Sequence, residues 1–267
     1  MTMPDVSMQI IVGYLLVMLR ITAWLVIAPP FAHRAIPARV KALIGFALTL
    51  AVGGTQDFST LSLDTDALVS SAVWQVLIGA ALGFVCYLVF AAVQTAGNLI
   101  DLFGGFQLTQ AFDPQMQSGA AVFGRTYQLI AMTLLFASNG HLILLHGITS
   151  SFRVLGLSEP LSLEVLSRVV TDGTGQVVVA ALQIAGPLIA ILFLTDVGLG
   201  LLTRAAPSLQ AFSLGFPLKV FVTLSVAALA VAMLPSISRS LTESAATQQQ
   251  QVLSASATAA TSEGGEP

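Results

Sequence analysis

The sequence predicts an all-α integral membrane protein built from about six long apolar helices. Three observations carry this. Of its 267 residues 55% are hydrophobic and 9% charged, with a mean hydropathy of +0.88. Soluble domains carry about 25% charged residues, so this chain has too little charge to coat a water-exposed surface. Several apolar runs approach the length of about 20 residues that spans a bilayer core. The main interruption between them, residues 97–125, is rich in amides and glycine rather than in charge. Non-helical backbone of that kind is tolerated at membrane depth only where protein covers it or it lines a cavity.

The totals also exclude. A net charge of -3, with ten scattered basic residues, argues against a nucleic-acid partner, which requires a basic patch or stripe. Cys86 is the only cysteine, so no intrachain disulfide forms, and its apolar run suits a buried structural thiol.

Residues 8–28 form the first apolar run, interrupted by Arg20. Asp5 stands where a signal peptide carries positive charge, so this segment is expected to stay as a helix. An arginine inside a membrane helix costs about 2.5–3.5 kcal/mol on insertion scales; it must face protein or water, or snorkel to an interface. Pro29 and Pro30 end the helix. The next loop holds His33, Arg34, Arg39 and Lys41 without an acid, which places it in the cytoplasm. Residues 40–52 form a short second helix closed by Gly53 and Gly54.

A loop with Asp57, Asp64 and Asp66 leads to the long apolar run 67–94, in which Gly79 and Gly83 make a weak small-residue pairing motif. Gln94, Asn98 and Asp101 follow at spacings of four and three, on one helical face. Gly104 and Gly105 break the helix and admit positive φ; Asp113 and Pro114 favour a turn. Residues 120–137 are apolar again, broken by Ser138, Asn139, Gly140 and His141, and weakly continued over 142–148.

Residues 149–176 read as a loop with a short amphipathic helix near 161–170. Residues 177–202 are the next span, kinked at Pro187 and carrying Asp196. The loop 203–219 holds Arg204 and Lys219 and no acid, so it too is cytoplasmic, and 220–234 is the last span. With an outside N-terminus, six spans put both purely basic loops inside. The tail 240–267, with its glutamine run and alternating Ser, Ala and Thr, reads as disordered; a helix over 241–252 is the open alternative.

No catalytic constellation emerges. His33, His141 and His146 lack metal-ligand spacing, and neither a nucleophile elbow nor a phosphate loop is present. No cofactor is implied. Asp101 and Asp196 lie closest to apolar helices, where a carboxylate is a functional candidate. One reading is a proton or ion relay, as in a small-solute carrier. The other is structural pairing with Arg20 or Arg125, favoured because no internal repeat of the transporter kind is visible.

Several patches, taken together, resemble the FliR family of the flagellar type III export apparatus. They are Arg20 with Pro29, Pro30, Phe31, Ile36 and Pro37; Gln94 to Gly97 with Asp101 and Gly105; Asp113 and Pro114; Asn139 to His141; Arg204 to Phe212; and Gly215 to Lys219. The similarity runs from about residue 10 to residue 235. It implies a non-enzymatic export-gate subunit in the bacterial inner membrane at the flagellar basal body. The implied partners are FliP-, FliQ-, FlhB- and FlhA-like proteins, with unfolded export substrates in transit and membrane lipid around the assembly.

The resemblance also implies a FliP-like region 1–176, a FliQ-like helical hairpin 177–239, and a channel-closing plug at 104–118. It further implies that some apolar helices are buried by partners rather than by lipid. In the plug, Gly104 and Gly105 are expected to give mobility. Phe106, Phe112 and Met116 would seal by apolar contact. Gln107, Gln110 and Gln117 would line the wet passage beside Asp113 and Pro114. Arg20, Gln94, Asn98, Asp101 and Asp196 are the expected intramembrane polar set, and Arg204, Pro207, Gln210 and Lys219 the expected partner contacts. The homologous gate of virulence secretion systems is the nearest alternative, and a membrane-embedded enzyme the most remote.

Overall fold

A computed structural model describes residues 3–106, 121–205 and 211–263. Among these, seven helices account for the architecture: α1 (Met3–Ile27), α2 (Ala38–Gly53), α3 (Thr65–Phe103), α4 (Val122–Ala137), α5 (Gly140–Val154), α6 (Leu163–Ala205) and α7 (Ala211–Glu263). The all-α expectation holds, while the count of six spans is not confirmed. Among the described residues three helical stretches are long and apolar enough to cross a bilayer: Met8–Ile27, Thr65–Phe103 and Glu164–Ala205. A fourth is added if α4 and α5 count as one span broken at Ser138–Asn139, where Asn139 has φ 58°. The reason is length. The 16 residues of α2 reach about 24 Å at 1.5 Å per residue, short of the hydrocarbon core of about 30 Å. The 39 residues of α3 and the 43 of α6 reach about 60 Å and overrun it.

Other expectations shift for related reasons. The expected loop with its short helix at 161–170 is absorbed into α6, and Pro187 sits inside α6 without interrupting it. Of the basic stretch 203–219, residues 203–205 close α6 and 211–219 open α7. The tail, read as disordered, is helix through Glu263.

The chain forms two compact units, each assembled from separated segments. One comprises Met1–Leu88, Asn139–Gly173 and Leu241–Pro267; the other comprises Val89–Ser138 and Thr174–Ser240. In the first unit, α1 packs along α2 and along the first half of α3. The core is made by Val17, Ile21, Trp24 and Leu25 on α1, Ile78, Leu82 and Val85 on α3, and Leu144 and Ile148 on α5. Gly79 and Gly83 place α1 and α3 close together: a Cβ at Gly79 would collide with the Arg20 carbonyl oxygen, and one at Gly83 would lie 3.1 Å from Ile27 Cβ. The small-residue motif that is weak in sequence is therefore a working helix crossing. The Pro29–Pro30 turn, with a cis peptide bond, brings Phe31 onto Trp24 with ring centroids 5.4 Å apart.

In the second unit the end of α3 packs on α4. Val93, Ala96 and Ile100 are buried on α3, with Tyr127, Ala131 and Leu135 on α4 and Ala185, Leu188 and Leu192 on α6. The crossing is again glycine on glycine, since a Cβ at Gly97 would lie 2.5 Å from Gly124 Cα and 2.6 Å from the Phe123 carbonyl oxygen.

Candidate functional site

The polar stretch leaves α3 at Phe106 and re-enters helix at Ala121. The structure describes both of its ends. At the leaving end, the Gly105 N–H donates to the Leu102 carbonyl at 3.3 Å and the Phe106 N–H to the Asp101 carbonyl at 3.0 Å. With Gly105 at φ 82°, this pair of bonds is a Schellman stop, which requires a left-handed residue after the helix. Gly104 answers a different need: a Cβ there would lie 2.8 Å from the Ile100 carbonyl oxygen and 2.9 Å from Thr223 Cγ2 on α7. The two glycines, expected to loosen the backbone, hold a definite helix stop and a close helix contact.

At the re-entry end, α4 starts without a side-chain cap from its own preceding residue, Ala121. Its first intrahelical bond runs from the Arg125 N–H to the Ala121 carbonyl at 3.0 Å, which leaves the N–H groups of the first turn without helical partners. Asp101, one turn before the end of α3 and fully buried, supplies them. Its carboxylate accepts the Phe123 N–H at 3.1 Å and the Gly124 N–H at 3.0 Å. A carboxylate is the right group at this place, because the start of a helix carries a partial positive charge. Asn98 lies one turn earlier against Gly124, and Gln94 is half-buried another turn back.

Rings complete the fastening: Phe106 meets Phe123 edge to face at 5.3 Å, and Phe123 meets Tyr127 at 6.4 Å. The two ends of the polar stretch are therefore joined by a carboxylate cap, an aromatic ladder and a glycine crossing. The expected plug residues Gln107, Gln110, Phe112, Asp113, Pro114, Met116 and Gln117 lie outside the described residues, as do Pro207 and Gln210.

The expected pairing of the buried carboxylates with Arg20 or Arg125 is not what forms. Arg20 is fully buried, and its guanidinium donates to neutral oxygens: Gln75 Oε1 at 2.7 Å, Ser151 Oγ at 3.2 Å, and the Leu155 and Gly156 carbonyls at 3.1 Å. It also lies 4.2 Å from the Phe152 ring centroid. These carbonyls sit just past the end of α5, where the helix leaves acceptors unfilled and a cation is favoured. Gln75 is itself held by donating to the Leu157 carbonyl at 2.9 Å. Arg125 is exposed. Asp101 and Arg20 thus serve helix ends rather than each other: each charge is met by several backbone groups that an apolar interior would otherwise leave unpaired at a cost.

Asp196 accepts from Lys219 Nζ at 2.8 Å. Lys219, expected in a cytoplasmic loop, is on α7, and Arg204 is exposed in the last turn of α6. Among the described residues no three His, Cys, Asp or Glu side chains gather as metal ligands. Sequence reasoning missed Gln75, Ser151, Thr223 and Tyr127 as members of these polar and aromatic contacts. Only Gln75 carries a signal in sequence, as an amide inside an apolar run.

The profile of bacterial export proteins, family 1, matches residues 11–245, which include both fastened ends and the Arg20 cluster. The chain belongs to this family. It is 34% identical over 219 residues to the flagellar biosynthetic protein FliR of Bacillus subtilis (strain 168), covering 79% of this chain and 83% of that protein. It is 34% identical over 221 residues to the FliR of Escherichia coli (strain K12), covering 82% and 83%. The Yop proteins translocation protein T of Yersinia pestis is 27% identical over 147 residues, covering 54% of this chain and 56% of that protein. The export-family match ends inside α7, so residues 246–263 of that helix lie beyond it. Membership makes the chain a type III export component, with helices long and apolar enough to cross a membrane.

Proposed function

We propose that this chain is a structural and gating subunit of the flagellar protein export channel in the bacterial inner membrane, at the flagellar basal body. In this reading it assembles with FliP-like and FliQ-like subunits, beside FlhB-like and FlhA-like proteins, and passes unfolded flagellar proteins. Residues 1–176 are the FliP-like part, and 177–239 are the FliQ-like hairpin. Residues 104–118 are the plug, rooted at Gly104, Gly105 and Phe106, with Phe112 and Met116 as the apolar seal of its moving part and Gln107, Gln110 and Gln117 facing water. Arg204, Pro207, Gln210 and Lys219 belong to the partner-facing side of the hairpin.

The observation that carries the reading is the fastening of both ends of the polar stretch by Asp101, the Phe106–Phe123 pair and the Gly105 stop. A loop that opens and closes a channel needs a rigid base so that only the loop moves. The bare length of α3 and α6 fits helices that are covered in part by partner subunits, as do the many exposed apolar side chains on α6, among them Phe193, Leu194 and Leu201. The flagellar system is preferred to the virulence one because two flagellar relatives match at 34% identity over 79% and 82% of the chain, against 27% over 54% for the virulence relative. A carrier using Asp101 and Asp196 is disfavoured because both carboxylates are engaged, by a helix start and by Lys219.

Two measurements test the proposal. Co-purification and intact-mass analysis should return a complex with FliP-like and FliQ-like subunits. Deleting residues 107–118, which spares Asp101 and Gly105, should raise ion conductance through that complex. Unchanged conductance in an intact complex would remove the plug assignment.

A further inference from the structure

The last helix continues past the family match and turns a sharply patterned face inward. Ala245, Gln249, Val252, Leu253 and Ser256 are buried, at the three- and four-residue spacing of one helical stripe. The apolar content is low, which is why the segment reads as disordered in sequence. Its contact is polar and close. Gln249 is fully buried, and its Nε2 donates to the Leu82 carbonyl at 3.3 Å and meets Cys86 Sγ at 3.1 Å, both on α3. On the other side stands Gly147 of α5. A Cβ there would collide with Gln249 Oε1 and lie 2.9 Å from Gln249 Cδ. Leu82, Cys86 and Gly147 therefore form a slot shaped to one amide side chain. Gln249 Oε1 has no hydrogen-bond partner among the described residues. A buried amide oxygen left unpaired is costly, so this contact is held less firmly than an apolar one.

We propose that the face of α3 and α5 marked by Leu82, Cys86 and Gly147 is a helix-binding site, and that this chain fills it in cis with residues 243–256. The site recognises a helix by a central glutamine on a buried stripe, with Ala245 one turn before it and Val252 and Leu253 one turn after. Gly147 gives it room, the Leu82 carbonyl gives it a polar contact, and the unpaired oxygen makes the docking reversible. While the chain's own helix is seated, no other helix can enter. The inference does not depend on the gating role.

Cys86, as the chain's only cysteine, reports on the slot. The test uses the full chain in membrane vesicles and follows labelling of Cys86 by a small maleimide. In the unaltered chain labelling should be slow. Gly147→Val should speed it by about tenfold, the factor that corresponds to about 1.4 kcal/mol. Gln249→Ala removes the clashing amide, so Gly147→Val with Gln249→Ala should return towards the slow rate, a coupling that independent sites do not show. A rate insensitive to Gly147→Val, or a double variant with merely additive effects, overturns the proposal. Additivity is also the result expected if Gly147→Val simply disrupts α5. Labelling that slows with rising protein density would assign the slot to a second copy's helix and overturn the cis assignment.

Discussion

Asp101 offers the sharpest test of the fastened loop base. Replacing it with alanine removes the acceptor for the Phe123 and Gly124 N–H groups at a buried helix start. Hydrogen bonds to a charged group contribute about 1.5–3 kcal/mol each. The lower bound for two such bonds is about 3 kcal/mol, which corresponds to roughly a hundredfold in an opening equilibrium. The assay is amide hydrogen exchange on the assembled complex. In Asp101→Ala the Phe123 and Gly124 amides should exchange about a hundredfold faster, while amides in the middle of α3 keep their protection. Asp101→Asn retains one carbonyl acceptor and should fall between, at about tenfold. Under the plug role proposed above, ion conductance should rise in the same order. The reasoning fails if Asp101→Ala leaves both amides protected, or if asparagine behaves as badly as alanine. The first result would mean that the carboxylate does not cap α4; the second, that the cap needs both carboxylate oxygens.

Other substitutions probe neighbouring parts. Gly105→Ala, forced to φ 82°, should cost about 1–2 kcal/mol, the penalty for a left-handed alanine, and should appear as earlier proteolysis after Phe103. Gly97→Val should sharply reduce recovery of folded protein, since a Cβ at that position meets the Gly124 backbone; Gly175→Val, where a Cβ meets nothing within 4 Å, is the control. Arg20→Met should lower thermal stability by about 1–3 kcal/mol for each acceptor it strands, among them the Leu155 and Gly156 carbonyls and Gln75. Arg20→Lys should rescue it only in part, for want of the forked geometry. Asp196→Asn should shift stability by under about 1 kcal/mol, because its pair with Lys219 is partly exposed.

Much of the site was legible before any coordinates. The Gln94, Asn98 and Asp101 stripe, the Gly104–Gly105 break and the return near Ala121 follow from spacing and residue type. What Asp101 binds did not, because backbone N–H groups leave no mark in a sequence, whereas arginines do. The eye therefore pairs Asp101 with Arg20, and the structure gives each a helix end. Lys219 likewise reads as a loop cation, because a basic stretch without acids resembles a cytoplasmic loop; its partner Asp196 lies 23 residues earlier on another helix.

Composition by itself determined that this chain is helical and membrane-embedded. Apolar burial and backbone satisfaction in lipid admit few other solutions. The order of its polar patches also sufficed to place it among export proteins. Only the tertiary structure decided which apolar runs are long enough to cross, and that the last helix docks through Gln249 rather than trailing in water. It alone showed that Asp101, Phe106 and Phe123 tie the end of α3 to the start of α4. These outcomes depend on contacts between residues far apart in sequence and on unfilled backbone groups at helix ends. Neither is encoded in hydropathy, which records how apolar a residue is and not what it faces.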